Sequence, residues 1–155
     1  MDMNINEPDM RPFVALIGTW ATEATHPQLE GVVPGSVTFE WLDGGRFLIQ
    51  RSLHESDVVP NSISLIGPPE DGDGLVMEYF DSRGVRRTYR TSLEDGVWRW
   101  WRDVLNFAQR FSAVLAPDGF EGHGELARTP GDWGGDLDIS YRRTSPGPTT
   151  NGKRT

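Results

Sequence analysis

Three histidines, His26, His54 and His123, are the chain's only imidazoles, and there is no cysteine. Thiolate nucleophiles, thiolate metal sites and disulfides are therefore excluded. The histidines stand far apart, with no H-x-H or H-E-x-x-H spacing, so the sequence offers no metal site and implies no cofactor. His26 shares strand parity with Trp20, Thr22 and Ala24. If Trp20 points inward, His26 reaches the opposite end of the same face, where an imidazole can bind a ligand or act as general base. Its structural alternative is a strand-end residue bonding a loop carbonyl. His54, beside Glu55 and Asp57, reads as a loop residue. His123 shares a face with Glu121 and Glu125, and such a face is ordinarily solvated.

Arg51, Arg87, Arg90 and Arg110 fall within β-rich runs. A barrel that takes carboxylates or enols needs an inward guanidinium, whose fork pairs two oxygens and keeps its charge. The alternative places these arginines on the outer wall, paired with Glu and Asp. Glu40, Glu78, Asp136 and Asp138 can do acid–base chemistry only where buried. Tyr79, Tyr89, Trp100 and Phe111 read as cavity lining or as core. No phosphate loop, nucleophile elbow or dinucleotide fingerprint is present, and Gly122-His123-Gly124 lacks the strand–helix context such a loop needs.

The elements that must position these residues are strands. In Gly35 to Ser52, Val37, Phe39 and Trp41 alternate with Ser36, Thr38 and Glu40, and Asp43-Gly44-Gly45 supplies a tight reversal into a second β-rich run, Arg46 to Ser52. The same plan recurs from Gly18-Thr19-Trp20 down to Arg143. Expected strands cover 18–26, 35–41, 46–52, 61–67, 75–81, 85–93, 97–102, 107–115, 120–126, 129–135 and 136–143, with His54 to Pro60 a loop. About ten short strands at this spacing predict an all-β sandwich or barrel. Short connections make neighbours antiparallel, and closure removes two exposed edges. The expectation is an up-and-down antiparallel barrel of about ten strands, spanning 11–143 after a short helical turn. A barrel that wide is not readily filled by side chains, so it implies a cavity. Residues 1–10 are expected to form a flexible arm and 144–155 a disordered tail.

The chain's 155 residues suit one domain. A net charge of -8 and a pI near 4.8 argue against nucleic acid or an anionic membrane as partner. Neither a signal-like N-terminus nor an apolar run of spanning length is present, which predicts a cytoplasmic protein. Six Trp residues either fill a wide interior or line a pocket.

Gly18-x-Trp20, opening a strand after a helical turn, resembles the opening of the calycins, the lipocalins and fatty-acid-binding proteins among them. The strings FEWLDGGRFLIQRS, YFDSRGVRRTY and VWRWWRD resemble an uncharacterised, mainly actinobacterial lipocalin-like family, whose described neighbours are the haem-binding nitrobindins. The resemblance implies a barrel from about Phe13 to Arg143 with Trp20 plugging one end. Thr22 and Ala24 stand where nitrobindins place glycines facing the haem, and 136–143 has no histidine to match their axial ligand, so haem binding ranks low. Fatty-acid-binding relatives use an Arg/Tyr arrangement on late strands, parts that Arg110 and Tyr141 match by residue type. The expected function is binding of one apolar or aromatic small molecule, with His26, Tyr79, Tyr89, Trp100, Arg110, Phe111 and Tyr141 as the candidate site. The rival is a cofactor-independent isomerase, cyclase or hydratase in the same cavity. A third class is a structural or homodimer-forming barrel packed solid.

Overall fold

Turns rich in Gly, Asp and Pro cut the chain into runs too short and too regularly alternating for helices. Ten strands result: β1 (Gly18–Thr25), β2 (Val33–Trp41), β3 (Leu48–His54), β4 (Ser62–Gly67), β5 (Leu75–Asp81), β6 (Arg86–Glu94), β7 (Val97–Arg102), β8 (Ala108–Val114), β9 (Gly119–Ala127) and β10 (Trp133–Arg143). This computed structural model describes residues 9–145. Of the expected arm and tail, 1–8 and 146–155 lie outside the described residues. Every strand pairs antiparallel with its neighbour in sequence, and β10 returns to pair with β1, closing the barrel.

Odd strands run from what we term the floor to the mouth, and even strands run back. The floor is apolar and tightly filled. A 3-10 helical turn, Arg11–Leu16, begins with Pro12 near its N-terminus, where a missing N–H costs nothing, and buries Phe13 and Leu16. Trp20 stands on that turn, and its Nε1 donates to the Leu16 carbonyl at 2.9 Å. Phe120 meets the Trp20 ring edge-on at 5.0 Å. The Arg143 guanidinium lies 4.1 Å from the Trp20 ring centre and donates to the Ile17 and Ala15 carbonyls at 2.7 and 3.1 Å. Above this plate, Phe39, Leu48, Ile66 and Trp98 are buried completely or nearly so.

Two departures from the expected strands matter for the site. His54 is the last residue of β3 rather than part of a loop, because pairing with β2 continues through Gly35↔His54. The end of the run expected over 129–135 joins the run expected over 136–143 in one strand, β10, while 129–132 lie outside it, and the register of β10 with β9 shifts between Gly135 and Asp138. A side chain on Gly124 would press against the Leu137 backbone, with Cβ only 2.6 Å from its carbonyl oxygen, so glycine allows the shifted strand to approach.

Trp20→Ala should lower the unfolding free energy by about 3–5 kcal/mol in urea denaturation, by removing the aromatic on which the floor is stacked. Trp101→Ala, on the outer wall, should change it by less than about 0.5 kcal/mol.

Candidate functional site

The interior changes character halfway up. The register sets Thr22, Gly35 and His54 side by side across β1, β2 and β3, and Gln50, Ser64 and Tyr79 across β3, β4 and β5. This panel is polar and largely buried. Thr22 is 2% exposed, yet Thr22 Oγ1, Gln50 Oε1 and His54 Nδ1 find no hydrogen-bond partner among the described residues. A Cβ on Gly35 would collide with the Leu53 carbonyl and stand 3.0 Å from both Thr22 Oγ1 and His54 Nδ1. The missing side chain leaves a notch that both atoms face. Burial holds the His54 pKa below the ordinary imidazole value. Its ring is therefore neutral at pH 7, with one nitrogen able to donate and the other to accept.

Tyr79, Tyr89, Trp100 and Phe111 form an aromatic panel across β5 to β8. Trp100 and Phe111 stack with centroids 4.7 Å apart and planes 8° from parallel. Tyr89 meets Trp100 edge-on at 4.8 Å and Tyr79 at 6.1 Å. Phe111 leans across β9 at Gly122, where any Cβ would strike its ring. In a closed ring of ten strands, β7 stands five strands from β2 in either direction. The aromatic panel therefore faces the polar one.

A hydrogen-bonded chain crosses the mouth. His26 Nε2 lies 3.0 Å from Asp136 Oδ1, Gln109 Nε2 donates to Asp136 Oδ2 at 3.3 Å, and the Tyr89 hydroxyl donates to Gln109 Oε1 at 3.1 Å. The Gln28 backbone N–H donates to His26 Nδ1 at 3.0 Å. With Nδ1 accepting, Nε2 must carry the proton and donate to Asp136. Both nitrogens are engaged, so His26 braces Asp136. On the neighbouring rim the Tyr79 hydroxyl donates to Asp81 Oδ2 at 2.7 Å, and Arg83 grips the same oxygen at 2.6 Å. The Arg83 hydrogen bonds, chiefly, hold the Asp81 carboxyl well below the usual range, and burial pushes the Tyr79 hydroxyl up, reinforced by Asp81.

Of the seven residues picked from the sequence, the structure brings five into the upper interior: His26, Tyr79, Tyr89, Trp100 and Phe111. Tyr141 lies at the floor, stacked on Phe120 at 4.4 Å, and burial raises its pKa. Arg110 faces outward, 49% exposed, paired with Glu125 at 2.7 Å and lying over Trp133 at 3.9 Å. Strand parity separates it from Phe111, so it does not join the interior set. Thr22, Gln50, His54 and Gln109 belong to the site without having been picked. Gln50 and His54 carry the parity of buried Leu48, the signal that would have found them once β3 is extended to His54.

Two open grooves, of about 600 and 290 Å³, lie on the outer wall, the first around Ala21, Glu23 and Ser140 and the second around Arg99, Trp101 and Arg110. Thr22 and Gly35 also line the first, and Trp100 and Phe111 the second, so each groove backs onto one of the interior panels. Among the described residues, no group of three or more His, Asp or Glu could hold a metal ion, and no helix is long and apolar enough to cross a membrane.

No family model matches this chain, and no curated protein does. Among solved structures, the crystal structure of Rv2717c from M. tuberculosis is similar, with a TM-score of 0.61 and 14% identity over 89% of this chain and 98% of that one. The likeness is one of fold.

Two outcomes follow from the geometry. Thr22→Val replaces an unpartnered buried hydroxyl by a methyl of similar size and should stabilise the free protein by about 1 kcal/mol, read in urea. Asp81 has a depressed pKa, so it adds stability above the ordinary carboxylate range and loses it as the pH falls. Asp81→Asn should therefore lower Tm at pH 7 and flatten its decline below about pH 4. An unchanged acid limb would remove that role.

Proposed function

We propose that this chain is a cytoplasmic, calycin-like barrel that binds one apolar or aromatic small molecule in the upper half of its interior. The observation that carries this reading is the set of three enclosed polar atoms, on Thr22, Gln50 and His54, left without partners opposite the Trp100–Phe111 stack. A buried polar group without a partner costs about 1–3 kcal/mol, and native interiors keep few of them. Such atoms are accounted for by a guest whose own polar groups complete them, a hydroxyl donating to Gln50 Oε1 and a hydroxyl or carbonyl meeting Thr22 and His54, with water standing in when the guest is absent. The aromatic panel supplies flat contact area for a ring, and the polar notch fixes its orientation. Binding is preferred over catalysis because His26, the imidazole first considered as a base, has both nitrogens occupied.

Titration of tryptophan fluorescence with flavonoids, polyketide-like aromatics and fatty acids tests the reading. Saturable quenching is expected for at least one hydroxylated aromatic, from the response of Trp100. Thr22→Val should weaken that ligand about tenfold, the loss of one hydrogen bond, while leaving the fold intact. Absence of saturable quenching across the panel, or full affinity in both Thr22→Val and Trp100→Leu, would overturn it.

A further inference from the structure

Phe107, one residue before β8, has the parity of Gln109 and Phe111 and so stands over the mouth. Three guanidinium carbons surround its ring, those of Arg87, Arg128 and Arg102 at 5.0, 5.5 and 6.0 Å from the centre. Arg87 is at the mouth end of β6 and Arg102 at the mouth end of β7, both half-buried and both with inward parity. Arg128 follows β9. None of the three is ion-paired among the described residues, whereas Arg11, Arg83 and Arg110 hold Asp9, Asp81 and Glu125. In a chain with 23 acidic and 15 basic side chains, an unpaired cluster of cations runs against the average. Two carboxylates at the mouth are already committed, Asp136 to His26 and Gln109, and Asp81 to Tyr79 and Arg83. The cluster also reaches inward: hydrogen bonding from Arg87, then the Arg87 and Arg102 charges, oppose the rise that burial gives the Tyr89 hydroxyl.

Three like charges gathered on one ring gain cation–π attraction to its face, but their mutual repulsion is relieved by an anion between them. The geometry points to a recognition site at the barrel mouth, where Arg87, Arg102 and Arg128 hold the acidic group of an organic acid whose apolar body lies against Trp100 and Phe111. The inference rests on the proposed reading of the interior and adds the charge of the ligand. Carboxylate, sulfonate and phosphate share the required oxyanion chemistry.

Two fluorescent probes of similar shape decide it on the full chain: 1-anilinonaphthalene-8-sulfonate, and N-phenyl-1-naphthylamine, which lacks the charge. The sulfonate should bind at least about tenfold more tightly at low salt, lose that advantage as salt rises, and be displaced by the neutral probe. Arg87→Gln and Arg102→Gln should each remove most of the advantage while the neutral probe binds as before, which also reports an intact fold. Arg128→Gln, at an exposed position, provides the same readout should an inner variant fail to fold. Equal affinity for the two probes, or a sulfonate preference untouched by all three substitutions, would overturn the inference and leave interior binding standing. If neither probe binds, the proposed interior site itself fails.

Discussion

Closure of a ten-stranded ring depends on where the last strand comes to rest, and here Arg143 on Trp20 sets that place. The guanidinium at the end of β10 stacks on the first strand's indole and holds carbonyls at and just after the helical turn. One side chain thus joins the two terminal strands and the plug beneath them. The indole is held in turn by the Leu16 carbonyl and the Phe120 ring. From this contact β1 and β10 align residue by residue, Trp20↔Arg143 to Thr25↔Asp138.

Fixing the floor this firmly divides the interior into two materials. Below, Trp98, Phe39, Leu48 and Ile66 bury their apolar surface almost completely, and such side chains stabilise by about 1.5–3 kcal/mol each. Above, Thr22 Oγ1, Gln50 Oε1 and His54 Nδ1 are enclosed without a partner among the described residues, which opposes folding. The lower half supplies the stability that the upper half gives up, and destabilised polar groups of this kind are concentrated where proteins bind other molecules. The tryptophans follow the same division: Trp20 and Trp98 fill the floor, Trp100 lines the upper wall, and Trp101 faces out.

How much of this was legible in the sequence depended on the range of the signal. Turn positions were legible because Gly44, Gly84 and Gly96 adopt positive φ that few other residues accept, so composition marks them directly. Strand parity was also legible, and it gathered Tyr79, Tyr89, Trp100 and Phe111 correctly onto inner faces. Height along the barrel axis was not, because it is set by stagger between strands that pair at long range. Strand parity therefore groups Tyr141 with the upper-interior residues, although the structure places it on Phe120 at the floor. His54 was missed for a different reason: its acidic neighbours suggested a loop, but pairing with Gly35 overrode local composition. Arg110 was chosen by residue type, and its parity, opposite that of Phe111, already argued for the outer wall.

Net charge misleads in the same way when it is carried from the whole chain to one site. A protein of charge -8 repels polyanions that approach its surface at large, because many charges act together over a Debye length. A small guest at the barrel mouth meets a different environment. Within a few ångströms it faces Arg87, Arg102 and Arg128 around Phe107, while Asp81 and Asp136 spend their charge on neighbours. The low dielectric of the half-buried rim strengthens those nearest charges relative to distant surface carboxylates, which water screens. A net acidity that repels polyanions over the surface at large is therefore compatible with the mouth proposed for small anions, because the two effects act over different distances.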